Sequence, residues 1–154
     1  VTPALRTGLL LALVAGAAAC TSRPESPEDE IRALLARAEE AVRERDTGAV
    51  KALIADDYGD EEGRDKRTLT GIAAYHFLRE GSLHVAARLI QVSFPTPTSA
   101  RAEVLAAMGR TAIDWKSLPD IDADVYRFDL DLRRDGGVWQ VTSASWRPAT
   151  VGDL

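Results

Sequence analysis

Apolar positions recur along this chain with two different periods, and the change between them divides it. From Ile31 to Val42 the period is helical: Ile31, Leu34, Leu35, Ala38 and Val42 form one stripe. Ser26-Pro27-Glu28-Asp29 precedes the stripe. Ser can cap a helix, Pro suits its first position, and acids favour the positive end of the macrodipole. Asp46 predicts the cap of a second, shorter helix with Val50, Leu53 and Ile54 on its apolar face. The chain breaks at Asp56-Asp57-Tyr58-Gly59, and the acidic loop Asp60-Glu61-Glu62-Gly63 follows. A third helix is predicted over Leu69–Arg79, stopping at Gly81.

Beyond Gly81 the period becomes two. Strands are predicted over Leu83–Phe94 and Ser99–Met108, joined by a turn at Pro95-Thr96-Pro97-Thr98. Tyr126–Arg133 alternates apolar and charged residues without a break, so one face is buried and the other solvated. Asp135-Gly136-Gly137 predicts a hairpin turn, and a last strand runs from Val138 to about Trp146, ended by Pro148. Three helices followed by four antiparallel strands make an α+β domain, with the helices on one sheet face.

Two stretches carry a family resemblance. Leu53-Ile54-Ala55-Asp56-Asp57-Tyr58 closes the second helix, and Gly136-Gly137-Val138-Trp139-Gln140-Val141 leads to Ser145-Trp146. With the order of elements, they resemble the nuclear-transport-factor-2-like (cystatin-like cone) superfamily over roughly residues 28–148. The resemblance implies three N-terminal helices packed on a strongly bent antiparallel sheet of about four strands, enclosing a cone. It implies a fold that often dimerises through its sheet. It also implies relatives that include ketosteroid isomerases, dehydratases, epoxide hydrolases and polyketide cyclases, which use a pocket carboxylate or His as general base. Such a base needs an apolar cavity to bring its pKa towards working pH.

The first nineteen residues follow a different pattern. Arg6 is the only charged side chain before Cys20, and a small, apolar run from Gly8 to Ala19 ends at that cysteine, the only one in the chain. A charged n-region, an apolar h-region and a small-residue cleavage site read as a secretory signal. The run is about twelve residues, short of the roughly twenty of a membrane-spanning helix. Ala17-Ala18-Ala19-Cys20 resembles the lipobox of bacterial lipoproteins. That resemblance implies lipidation of Cys20 as the first mature residue. With Thr21 rather than Asp next, it also implies the periplasmic face of the outer membrane in a Gram-negative cell. The plainer alternative is a secreted protein cut near Ala19, with Cys20 a spare thiol.

The expected organisation is therefore a signal peptide over 1–19, lipid attachment and a short tether over 20–27, the folded domain over 28–148 and a tail over 149–154. Thr21–Pro27 is proline-containing and spans roughly 20 Å when extended. The formal net charge is −5, without the clustered basic face that nucleic acid requires.

No motif downstream of Cys20 fixes a chemistry. Asp129 and Asp131 share the solvated strand face with Arg127 and Arg133, a pattern of cross-strand pairing rather than of catalysis. Asp120, Asp122 and Asp124 resemble the start of a calcium loop, but Val125 and Asp131 stand where that loop needs Gly and Glu. His76 and His84 lack metal-ligand spacing, so no metal and no cofactor is expected. His76, one turn after Ile72, is the weak candidate for a catalytic base; its plainer role is a hydrogen-bonded histidine at the core edge. Tyr58, Tyr75, Trp115, Phe128 and Trp146 are the candidate pocket residues, with Trp115 in the long Arg110–Ala123 connection expected to cover the cone. The expected function is a membrane-tethered, non-catalytic envelope lipoprotein that binds a small apolar ligand or a protein partner through the cone or the sheet face. The alternatives are a small enzyme of the ketosteroid isomerase or polyketide cyclase type, and a homodimeric scaffold.

Overall fold

Helix α1 (Pro27–Arg43) begins at the predicted cap. Ser26 Oγ accepts the Asp29 N–H at 3.2 Å while the Asp29 carboxylate accepts the Ser26 N–H at 3.1 Å, a reciprocal capping box. This computed structural model describes residues 26–116, 118 and 123–153. The expected signal sequence, Cys20 and the expected tether up to Glu25 lie outside the described residues, as do Asp120 and Asp122. Helix α2 (Thr47–Ala52) is capped by Asp46, whose side chain accepts the Ala49 N–H at 2.9 Å. Leu53 and Ile54, expected on its apolar face, lie past its end, and Ile54 bridges to Val141 instead. Helix α3 (Lys66–Arg79) starts three residues before the apolar pattern does, because Asp65 caps it by accepting the Thr68 N–H at 2.7 Å.

The four strands are β1 (His84–Thr96), β2 (Ser99–Gly109), β3 (Ala123–Asp135) and β4 (Val138–Pro148). They form one antiparallel meander in the order β1-β2-β3-β4. Pro95, expected in the first turn, lies within β1, and Thr96 pairs with Ser99 across Pro97-Thr98. An edge strand tolerates the missing N–H. At the second hairpin Asp135 pairs with Val138, and Gly136 and Gly137 take φ of 55° and 83°. A two-residue turn of that hand requires positive φ at both positions, which glycine reaches without strain. Register shifts at Leu89/Gln91 and at Asp131/Leu132 mark bulges, which bend and twist a sheet.

Helix α1 lies on the sheet over Ala100, Ala102, Val104, Leu132 and Trp139, meeting them with Ile31, Leu34 and Leu35. The small β2 side chains allow close approach of the helix. The expectation of three helices on the sheet holds in part. Helix α3 packs chiefly on α2, and its Leu69 reaches a second cluster around Ile54, Tyr58 and Ala144. Of its residues only Phe77 is buried, so it has too little inward apolar surface to lie along the sheet.

Three ties close the domain. Glu30 on α1 accepts Trp139 Nε1–H at 2.7 Å and the Arg134 guanidinium at 2.9 Å. The strip from Leu53 to Gly59 runs along the free edge of β4, with Val141 N–H donating to Leu53 O and Ala55 N–H to Val141 O, each at 2.9 Å. The tail folds back through a short 3-10 turn, Val151–Asp153. There Asp153 binds Arg147 at 2.8 Å and Arg127 at 3.1 Å. Arg147, the Thr150 N–H and hydroxyl, and Arg127 hold the Asp153 carboxyl well below the usual range.

Glu30→Ala leaves the indole N–H of buried Trp139 without its acceptor. The expected loss of stability is about 1–3 kcal/mol, measured by urea denaturation. Trp139→Ala, which also opens a cavity under α1, is expected to lose about 3–5 kcal/mol.

Candidate functional site

Three of the five candidate pocket residues converge. Tyr58 is buried with Ile54 and Ala144, and Trp146 packs against that cluster. Phe128 stacks on Trp146 with ring centroids 5.7 Å apart. The guanidinium of Arg64 lies 3.9 Å over the Trp146 ring, a cation–π contact. Arg64 is placed by the loop after Tyr58, which Gly63 closes at φ 72°. There Asp60 accepts Arg64 Nε–H at 2.7 Å, the Arg64 N–H at 2.9 Å, the Glu62 N–H at 3.1 Å and the Tyr58 hydroxyl at 3.0 Å.

These bonds set the charge states. The Asp60 side chain has 0% exposure. Burial alone pushes its pKa up, but the hydrogen bonds from Arg64 and Tyr58 outweigh that and hold it below the usual carboxylate value. Burial, and then the bond to Asp60, push the Tyr58 phenol up to about 12. The group is an ionised acid whose acceptor sites are engaged by a cation, a phenol and two amides. Such an acid stabilises a loop; it is not a base waiting for a substrate proton. Sequence reasoning missed Asp60 and Arg64 as members of this cluster. The available signal was an i,i+4 pair of opposite charge spanning a glycine beside Tyr58.

The remaining candidates lie elsewhere. Tyr75 is exposed on α3, under the Arg79 guanidinium, which also donates to its hydroxyl. His76 is exposed beside it, edge-on to the Tyr75 ring at 5.8 Å, away from any apolar cavity that would tune a base. Trp115 is half-buried against the opposite edge of the sheet, under Arg88 at 4.4 Å, in a hollow with Leu35, Ala36 and Glu39. It therefore does not join the Tyr58–Trp146 group. Among the described residues, no group of three or more His, Cys, Asp or Glu could hold a metal ion, and no helix is long and apolar enough to cross a membrane.

Two concavities lie outside this group of aromatic side chains. One, of about 310 Å³, lies on the sheet face turned from the helices. The register aligns two transverse polar rows across all four strands: Gln91, Glu103, Asp129 and Ser145, then Ser93, Arg101, Asp131 and Ser143. Arg101 pairs with Asp131 at 3.4 Å, Arg127 with Glu103 at 2.6 Å, and Glu61 reaches the rim. The other, of about 320 Å³, is a groove between α1, α2 and β4 with Ala41, Ala49, Leu53, Val138 and Trp139 among its walls.

The Tyr58 shift has a readable consequence. Its phenol ionises near 10 in an unfolded chain and near 12 in the folded one, so the folded state favours the protonated form. Its contribution to stability is complete below pH 10 and is lost as pH rises towards 12. Urea midpoints across that window are expected to fall more steeply for the native chain than for Tyr58→Phe. Absorbance titration of the phenolates should lose its latest component in the same variant.

Comparison with known proteins places the fold. No family model and no curated protein matches the sequence. Solved structures do match. An NTF2-like protein of unknown function from Pseudomonas putida KT2440 is 27% identical, with a TM-score of 0.56 over 77% of this chain and 84% of that one. An uncharacterised cystatin-like-fold protein from Caulobacter vibrioides is 15% identical, with a TM-score of 0.62 over 81% and 91%. A ketosteroid isomerase-like protein from Erwinia carotovora atroseptica SCRI1043 is 17% identical, with a TM-score of 0.56 over 78% and 94%. With its bulged four-stranded meander and N-terminal helices, the described chain has the NTF2-like, cystatin-like fold.

Proposed function

We propose that this chain is an exported protein, lipid-anchored through Cys20 in the cell envelope, and that its domain binds an envelope protein partner through the sheet face opposite the helices. The observation that carries the binding role is the pair of polar rows. Eight hydrogen-bonding side chains stand side by side on four adjacent strands around a hollow. Arg127 pairs with Glu103 and Arg101 with Asp131, so Glu61 and Asp129 leave the hollow an excess of negative charge, and the complementary surface is basic. On the helix side, Phe128, Trp146 and Tyr58 pack together under Arg64, and their nearest acid is already ion-paired. This supports binding over acid–base catalysis, even though one structural neighbour is described as ketosteroid isomerase-like. The groove between α1, α2 and β4 supports a second reading, a small apolar ligand, because apolar walls meet exposed Val138 there.

The anchor and the binding face are separately testable. Cys20→Ser is expected to abolish lipid attachment, seen by mass spectrometry, and to move the protein out of the membrane fraction; persistence in the membrane removes the anchor from the reading. A photo-crosslinking residue at Ser143 is expected to trap one distinct envelope protein in cells, whereas the same residue at Ala36 on α1 does not. Asp129→Lys with Asp131→Lys should reduce that adduct about tenfold or more, equivalent to at least about 1.4 kcal/mol. An adduct between two copies of this chain supports the scaffold instead. No adduct at Ser143, with saturable uptake of a fluorescent fatty acid that Val138→Arg abolishes, supports the apolar-ligand reading.

A further inference from the structure

Helix α3 has apolar residues on two sides. Leu69 and Phe77 face inwards, whereas Ile72, Tyr75 and Leu78 are 40%, 53% and 87% exposed. These three recur every third residue, so on a helix of about 3.6 residues per turn they wind slowly along one side. Arg67, His76 and Arg79 are exposed with them. No Asp or Glu occurs between Lys66 and Arg79, in a chain of net charge −5. The outer side of α1, by contrast, carries Glu28, Arg32, Arg37 and Glu40, the ordinary mixture of a solvated face. Arg79 lies over the Tyr75 ring and bonds its hydroxyl, so cation and aromatic form one unit with an apolar body and a polar rim. Leu and Ile beside Tyr and Arg, without carboxylates, give this exposed side an apolar centre and a basic rim, which suits the headgroup level of an anionic bilayer.

We infer that the outer face of α3 docks on the anionic surface of the membrane, with Leu78, Tyr75 and Ile72 entering the headgroup region and Arg67 and Arg79 meeting lipid phosphates. The inference rests on the anchoring proposed above. Ser26 and Pro27 belong to the start of α1, so a tether of Thr21–Glu25 would span at most about 16 Å when extended. A domain of this size has a radius of gyration of about 14 Å. The tether therefore holds the domain against the headgroups, and α3 offers a face that anionic lipid attracts. Docking fixes the orientation of the domain.

The test uses the lipidated full chain in vesicles of phosphatidylcholine and phosphatidylglycerol. An environment-sensitive fluorophore is placed on Leu78→Cys, or on Thr98→Cys in the β1–β2 turn as control. Cys20 is blocked by its lipid; mass spectrometry verifies this, and vesicle flotation reports anchoring. Expected is a blue-shifted emission at position 78, with quenching by brominated lipid several-fold stronger than at 98. Arg67→Glu with Arg79→Glu should remove the difference while the chain still floats. Equal, water-like emission at 78 and 98 in a floating chain overturns docking and leaves the anchor standing. A blue shift without brominated-lipid quenching also overturns it, because a second protein surface then covers α3. A chain that neither carries lipid nor floats removes the anchor, and docking falls with it.

Discussion

The strip from Leu53 to Gly59 holds the helical half of this protein to its sheet. It lies on β4 as a short extra strand would, with Gly59 N–H adding a bond to Thr142 O at 3.1 Å beyond those made at Val141. Gln140 reaches Ala52 O at 3.0 Å, Arg133 clamps Asp57 with two bonds of 2.8 and 2.9 Å, and Lys66 holds Asp56 at 2.7 Å. An open strand edge is a template for unwanted pairing, and the strip removes it. It also decides where Tyr58 enters the interior, and hence where Asp60 and Arg64 stand. The other edge, at β1, is met by α1, where the Ala87 N–H donates to Glu39 at 2.5 Å.

Charge is arranged by the same economy. The carboxylates that penetrate the domain, Asp60 and Asp153, are multiply bonded, and both are held in the ionised form. Glu30, half-buried, satisfies an indole and a guanidinium at once. A buried charge without such partners would cost several kcal/mol. The exposed grid on the sheet carries no comparable obligation. Asp129 and Glu103 stand directly opposite each other on neighbouring strands, and Arg127 offsets their repulsion by pairing with Glu103 at 2.6 Å.

Much of the architecture was legible where one face of an element is apolar and the other polar. The α1 stripe, the alternation of Phe128, Leu130 and Leu132 with Arg127, Asp129, Asp131 and Arg133, and the Gly136-Gly137 turn each state their geometry locally. Element ends were less legible, because Asp65 and Pro95 act through caps and edge position rather than through periodicity. The site was legible only in fragments. Phe128 and Trp146 meet as a cross-strand pair of β3 and β4, and Tyr58 joins them from the strip along the β4 edge, a contact that no spacing reveals. Tyr75 and His76 could not be oriented, because α3 carries apolar residues on opposite sides and either side could face inwards.

The long reach of these ties also governs when the domain can form. Glu30 waits for Trp139, 109 residues later, and Ala52 waits for Gln140, 88 residues later. Loop closure over such spans precedes the reward of contact, so the early helices have little to rest on while the chain is still being made. A nascent chain of this topology stays loose until β4 arrives.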